Sequence, residues 1–513
     1  MRSDIKKVLL AVAVPVTLVA GAVAPARAAP GPPARADGFT AAQTAVLAEY
    51  ASATWKSIDA MTSPETGLPA NAVDPGLQKR SRWTAPTPFG SYLWSATAAW
   101  RSGVLTQDEA EDKVERTLDG LAELPYHRPS GMFYRWYDPD TGDFREDSTR
   151  DDRFLSSVDN AWAATGLMVV RNAFPELRGK AAKLLGRMDF RYFYDPDAAG
   201  ANPGGGLMHG GFYGEEPPAG KCTEKKGEVW LTCGRYGALG ETRMATYVGM
   251  ALGQIPPEAY FGPNRSLAPD NCAQEQKPTG FYREYRGVRV WEGAYAYRGM
   301  KIMPTWGGSM FEGLMANLFV PEEKWGTKSW GINHPHYVRA HIEHGMEEAG
   351  YGYWGFSPSN QPPTGYRAYG VDAIGMNPAG YTSDQEATTV EPGFPGCRAA
   401  EPPPRPEEYG DGVVTPHAAF LGLRYAPDEA LANLANLRRD FPVYREGGFL
   451  DAVAVKSGEL NEEHLLLDQG MVMASLGNAL SGDSLREYFV RGPVTARLKP
   501  SIAVEEFAAA PRP

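Results

Sequence analysis

Apolar residues along this chain fall in runs rather than in strict alternation, and the runs predict helices far more often than strands. After a helical apolar run at 39–61, one pattern recurs six times: a loop rich in glycine or aromatic residues, then a stretch of small and apolar residues with almost no polar face. The six stretches begin near Ser91, Ser157, Gly240, Ser309, Pro416 and Leu466. Several are followed by a segment with one charged face, as in TQDEAEDKVERTLDGLAEL (106–124), PELRGKAAKLLGRMDF (175–190), HPHYVRAHIEHGMEEAG (334–350) and PDEALANLANLRRDF (427–441). A helix that is apolar all round belongs inside, and one with a polar face lies outside. Six inner helices alternating with outer ones predict an all-α fold, an (α/α)6 toroid or barrel of helical hairpins; the uneven spacing argues against a solenoid of fixed period. Any sheet should be small. Long insertions at 195–236, 262–305 and 376–411 are expected to build one rim.

The two ends and the composition narrow the setting. Arg2, Lys6 and Lys7, an apolar run from Val8 to Ala24 and ARA at 26–28 have the layout of a secretory signal. Residues 1–28 are therefore expected to be removed, 29–38 to form a Pro/Ala linker, 39–490 the folded domain and 491–513 a C-terminal tail. The mature protein is expected to be secreted, a monomer, and free of any membrane once the signal is cleaved. In an exported chain Cys222, Cys233, Cys272 and Cys397 favour disulfides over a metal cluster. Of three possible pairings, Cys222 with Cys233 is favoured, leaving Cys272 with Cys397. A net charge of -11 supplies no basic footprint, which argues against nucleic acid as a partner.

The loops before the inner helices are crowded with aromatic residues: Trp94 in FGSYLW, Trp136 in MFYRWYD, Tyr213 in HGGFYGE, Trp306 in PTWGGSMFE, Trp354 in GYGYWGFSPS and Tyr366 in TGYRAYGVDA. Aromatic faces beside hydrogen-bonding groups suit the two sides of a sugar ring, so a saccharide partner is expected, with Arg243, Arg367, Asp372, His417 and Gln469 as polar contacts. The competing account is that these rings only plug the barrel. Carboxylates stand in the same places: Asp159 in SSVDNAW, Glu241 in GETRMA, Glu312 in GGSMFEGLM and Asp451 in GGFLDAV. Glycoside hydrolysis needs two of them, one protonated and one ionised. Ser156 to Asp159 and Ser309 to Glu312 also fit a helix-capping box, and Asp451 fits a turn. Glu241 has Gly237 where a capping box needs Ser or Thr, and at the start of a buried helix its carboxyl should be raised toward the pKa of a general acid.

Other chemistries fit less well. Neither a phosphate loop nor a G-x-S-x-G elbow is present. His334, His336, His341 and His344 lack the H-E-x-x-H spacing and are expected on a solvated outer face; no cofactor and no metal is expected. A polysaccharide lyase would use Tyr366 or Tyr369 as base, Arg367 against a uronate, and His417. A non-catalytic glycan-binding protein is the alternative from another class.

The ordered motifs SSVDNAWAATGLMVVRNAFPEL, GETRMATYVGMALGQIPPEAYF, TWGGSMFEGLMANLFVPEE, YWGFSPS with YRAYGVDAIG, VVTPHAAFLGLRYAPDEALANLANL and DQGMVMASLGNAL resemble the glycoamylase-like family. That group includes bacterial endo-β-1,2-glucanases and the transglycosylase domain of cyclic β-1,2-glucan synthases. The resemblance covers roughly Trp83 to Leu480. It implies an (α/α)6 catalytic domain acting on β-glucan, a catalytic carboxylate at Glu241, and subsite acids at Asp159, Glu312 and Asp451. Either inversion or retention is open, because the two branches differ. Asp451 is the first candidate for the base, with Glu312 or Asp159 as substitutes. The chain departs from the family in its cysteine-bearing insertion before Glu241 and its Pro-rich insertion before Val413, and rim insertions reshape subsites.

Overall fold

The computed structural model describes residues 38–145, 153–362, 365–376 and 391–510. The expected signal peptide and all of the linker but Gly38 lie outside the described residues. The six apolar stretches are α2 (Pro86–Arg101), α4 (Ser157–Ala173), α6 (Arg243–Leu252), α7 (Met310–Leu314), α10 (Pro416–Gly422) and α12 (Leu466–Leu480), each buried along almost its whole length. α2 starts earlier than its apolar run suggests because Pro86, with no N–H to satisfy, opens the helix. α6 starts later: Glu241 lies in the turn ahead of it, not in its first position.

These helices touch in a closed circuit. α2 packs on α4 and α12, α4 on α6, α7 on α10, and α10 on α12. The remaining gap is tied by Arg243 of α6, which donates to the carbonyls of Glu312 and Gly313 in α7 at 2.8 and 2.9 Å. α2 and α4 meet backbone to backbone: a Cβ on Gly90 would fall 2.1 Å from the Trp162 carbonyl oxygen, so glycine is required at that crossing.

Outside this circuit, α3 (Gln107–Glu123) covers α2, α5 (Arg178–Arg187) covers α4, α9 (Trp330–Glu343) covers α7 and α11 (Pro427–Asp440) covers α10. The last two outer places are filled from the chain ends, α1 (Ala41–Ala60) on α12 and α14 (Pro493–Ile502) on α6. The segment expected as a tail is therefore part of the body. Beyond α14, Glu505 is buried against Arg265, and the backbones of Lys301 and Ala510 exchange two hydrogen bonds. Two short helices, α8 (Glu322–Trp325) and α13 (Ser484–Phe489), complete the set of α-helices among the described residues.

Strands are short and sheets small, as expected. The largest sheet is antiparallel, ordered Phe154–Ser156, Gly211–Tyr213, Val229–Thr232, Thr223–Lys226. Cys222 and Cys233 cross-link the ends of its outer hairpin. Its strand Phe154–Ser156 runs directly into α4 and so fixes where Asp159 sits. The second insertion folds into a hairpin, Thr279–Tyr285 with Val288–Tyr297, and Cys272 is bonded to Cys397 of the third insertion. Residues 377–390 of that third insertion lie outside the described residues.

One expectation is corrected by α9. His334, His341 and His344 are buried rather than solvated. His334 meets Glu322 at 3.0 Å and His344 meets Glu348 at 2.7 Å, so these rings are internal polar links. No helix among the described residues is long and apolar enough to cross a membrane.

Candidate active site

The chemistry gathers where the inner helices begin. Glu241 is 8% exposed; its backbone N–H donates to Glu312 Oε2 at 2.7 Å, and its Oε2 accepts from the Trp162 indole N–H at 2.7 Å. Gly240 makes the first contact feasible, since a Cβ there would lie 2.0 Å from Glu312 Oε2. The capping boxes form only by half. Ser309 Oγ accepts the Glu312 N–H and Ser156 Oγ accepts the Asp159 N–H, each at 3.2 Å. Neither carboxylate returns the bond: Glu312 turns to the Glu241 amide, and Asp159 Oδ1 accepts from the Thr87 hydroxyl at 2.6 Å. Both acids are thereby pointed at the space Glu241 occupies.

Burial dominates the electrostatics here. Desolvation, then the charge of Glu312, pushes the Glu241 carboxyl well above its ordinary pKa; the Trp162 N–H opposes this without reversing it. Burial lifts Glu312 to about 7 against the Glu241 amide and Arg243. Glu241 thus holds its proton to higher pH than an ordinary glutamate. Tyr236, whose phenol is raised first by burial and then by Glu241, Asp159 and Glu312, stands beside all three.

A second acidic group, from other elements, acts on the same tyrosine, Tyr366, as Glu241 and Glu312 do. Asp451 Oδ2 accepts from the Asn360 backbone N–H at 2.6 Å. Asp468, in the first turn of α12, is close enough to hydrogen-bond with Asp451, and His417 Nδ1, at the start of α10, is 3.0 Å from Asp468 Oδ2. Potential ligand atoms of His417, Asp451 and Asp468 lie within 4.8 Å of one another, the one such cluster among the described residues able to hold a metal ion. Tyr366, on the strand Tyr366–Arg367, connects the two sides: it feels the charges of Asp468, Asp451, Glu241 and Glu312.

The other expected contacts divide. Trp306 (46% exposed) and Arg367 face solvent, and Trp136 is half-buried against Trp83. Trp94 is corrected: it is buried between Trp162 and Phe319 and donates to the Gly470 carbonyl. Trp354 is also a core residue, its backbone held by the Asn433 side chain. Arg243 is fully engaged with Glu322 and three carbonyls and has no donor directed to a sugar. Tyr213, Asp372 and Gln469 are buried, with Asp372 acting on Glu275 rather than on the cleft acids and Gln469 donating to the Phe449 carbonyl. Asp468, Trp162 and Tyr236 were not singled out from the sequence, although Asp468 occupies the same early-helix place as Asp159 and Glu312. A cavity of about 470 Å³ opens elsewhere, beside the far ends of α7, α10 and α12, and none of the cleft acids lines it.

Known proteins match this arrangement in sequence and in fold. Residues 276–491 match a family described as putative glucoamylase, and residues 49–200 match one described as a protein of unknown function, DUF3131. The cyclic beta-(1,2)-glucan synthase NdvB of Rhizobium meliloti (strain 1021) is 24% identical over 268 residues, which is 50% of this chain and 7% of that relative's length. The endo-beta-1,2-glucanase of Chitinophaga pinensis, solved with sophorotriose and glucose, superposes with a TM-score of 0.63 at 14% identity, over 90% of this chain and 98% of that one. A beta-1,2-glucanase from Parabacteroides distasonis gives 0.65 at 15% identity, over 91% and 61%. The resemblance carried by the sequence motifs is thus met again at two levels: residues 276–491 are similar to the putative-glucoamylase family, and the chain has the fold of the endo-β-1,2-glucanase structures.

Proposed function

We propose that this chain is a secreted glycoside hydrolase on an (α/α)6 toroid, cutting a β-glucan internally, with β-1,2-glucan the first substrate to try. The observation that carries the proposal is Glu241: a buried carboxyl, its pKa raised by desolvation and by Glu312, with a second buried acidic group that acts on the same tyrosine, Tyr366. In this scheme Glu241 gives its proton to the glycosidic oxygen as the anomeric C–O bond breaks. Water adds to the anomeric carbon and yields its proton on the far side, where Asp451 is the first candidate to receive it. Asp159 and Glu312 hold the acid's surroundings, and Trp306, Trp136 and Tyr366 offer faces for sugar rings. The NdvB relative, a cyclic β-(1,2)-glucan synthase, and the β-1,2-glucanases with the same fold support β-1,2-glucan over other linkages.

A lyase is disfavoured by the same geometry. The Tyr366 phenol is raised well above its ordinary pKa by burial and by the four acids that act on it, which makes it a poor base. Incubating purified protein with linear β-1,2-glucan, other β-glucans and arabinans tests the proposal. New reducing ends from a β-glucan, with oligomers of mixed length appearing first, are the expected result. Binding without new reducing ends would leave a glycan-binding protein, and unsaturated products would make it a lyase. Proton NMR of the first products then assigns inversion or retention.

A further inference from the structure

The side of the cleft opposite Glu241 collects acceptors without donors. Asp451 comes from the turn after the strand Gly448–Phe449, Asp468 from the first turn of α12 and His417 from the first turn of α10, and all three are buried. Asp451 Oδ1, Asp468 Oδ1 and His417 Nε2 are sealed from solvent with no hydrogen-bonding donor, and Asp468 Oδ2 has only the His417 Nδ1 beside it, at 3.0 Å. The neighbouring contacts do not repair this. Asn360 donates one N–H to Asp451 Oδ2, and the Thr415 hydroxyl sits 2.6 Å from His417 Nδ1. Buried polar atoms are nearly always paired, and a carboxylate left unpaired is especially costly. No lysine or arginine is among the groups acting on either carboxyl.

We propose that His417, Asp451 and Asp468 form a divalent-cation site on the base side of the cleft. Their ligand atoms lie within 4.8 Å of one another, which is compatible with metal–ligand distances of about 2.0–2.3 Å on either side of an ion. One imidazole nitrogen with two carboxylates suits Zn²⁺ or Mn²⁺, whereas Ca²⁺ takes six to eight oxygens. The Thr415 hydroxyl beside Nδ1 is the outer partner that a metal-bound imidazole requires to fix its tautomer. Three protein ligands leave a position open, as in catalytic rather than structural zinc sites. This inference deepens the hydrolase reading and rests on it for the identity of the cleft, but its test needs no substrate.

The full chain, stripped with chelator, is titrated with Zn²⁺ and with Mn²⁺ by calorimetry, and the bound ion is counted by elemental analysis. One equivalent is expected for the unaltered chain and for Glu241→Gln, with binding weakened by more than about 100-fold in His417→Ala and Asp468→Asn, beyond what loss of an outer-shell partner causes. No bound equivalent, or an equivalent that both variants retain, overturns the proposal. Should either variant fail to fold by circular dichroism, electron spin-echo spectroscopy of Mn²⁺ on the unaltered chain decides it: coupling to an imidazole nitrogen supports the site, and its absence overturns it. A chain that cuts glucan but binds no ion removes this inference alone; one that binds the ion but cuts no glycan removes the hydrolase reading alone.

Discussion

Glu241 and Glu322 are both buried glutamates on either side of Arg243, and their surroundings drive them in opposite directions. Burial would raise both. At Glu322 the Arg243 guanidinium, bonded through Nε and Nη2 at 2.7 and 3.0 Å, together with His334 and Tyr247, overcomes it and holds the carboxyl down at about 2. At Glu241 the same guanidinium is turned away, a second acid stands in its place, and a single indole N–H is the side-chain donor. The lesson is that the molecule had a cation within reach of Glu241 and assigned it to the glutamate below. One pair fastens α6 to α8 and α9; the other keeps a proton ready.

Glu241→Gln should break the functional side of this contrast with the largest effect: turnover falls by about 10²–10⁴-fold or more, as expected for loss of a general acid, with KM little changed. Stability should stay level or rise, because glutamine can still accept from Trp162 and the repulsion with Glu312 is gone. Glu322→Gln should break the structural side. Arg243 is left as a buried charge without its counter-ion, at a cost of about 3–5 kcal/mol in chemical denaturation. The two substitutions thus separate in a pair of measurements; similar losses of stability in both would erase the distinction.

The pH dependence of stability should separate them next. Glu312 binds its proton more tightly folded than unfolded, so stability falls as pH rises from its ordinary value of 4.5 toward about 7. Glu322 does the reverse: its contribution is present above 4.5 and lost as pH falls from there toward about 2. Denaturation midpoints measured across pH should therefore lose slope in the upper window in Glu312→Gln and in the lower window in Glu322→Gln. The smallest effect concerns the rim. Trp306→Ala should raise KM by about 2- to 10-fold with kcat preserved, the worth of one aromatic contact, while Trp354→Phe should alter stability and leave KM unchanged.

Sequence carried the inner helices well, because a stretch apolar on all sides has no other place to be. It carried their partners less well. The Arg243–Glu322 pair spans 79 positions, so GETRMA alone could not show that its arginine points inward. α14 falls beyond the last inner helix and packs back on α6, a long-range contact that gives a terminal segment no local signature. Aromatic loops were visible, yet Trp94 and Trp354 face the core and Trp306 is exposed, a direction composition does not encode. The hairpin from Thr279 to Tyr297 was legible in principle, with alternating aromatic and charged positions around Arg286–Gly287, but its burial is mixed rather than one-sided. Asp468 shares its early-helix position with Asp159 and Glu312, but it follows Leu465, Leu466 and Leu467 rather than one of the aromatic loops that mark the other acids.

The central claim is that Glu241 is the proton donor of a glucan hydrolase. The most direct measurement is release of reducing ends from linear β-1,2-glucan by the unaltered chain and by Glu241→Gln, alongside glucan binding by both. The account predicts release by the first, almost none by the second, and binding by both. Equal release by the two proteins, or an intact glucan with each, would contradict it.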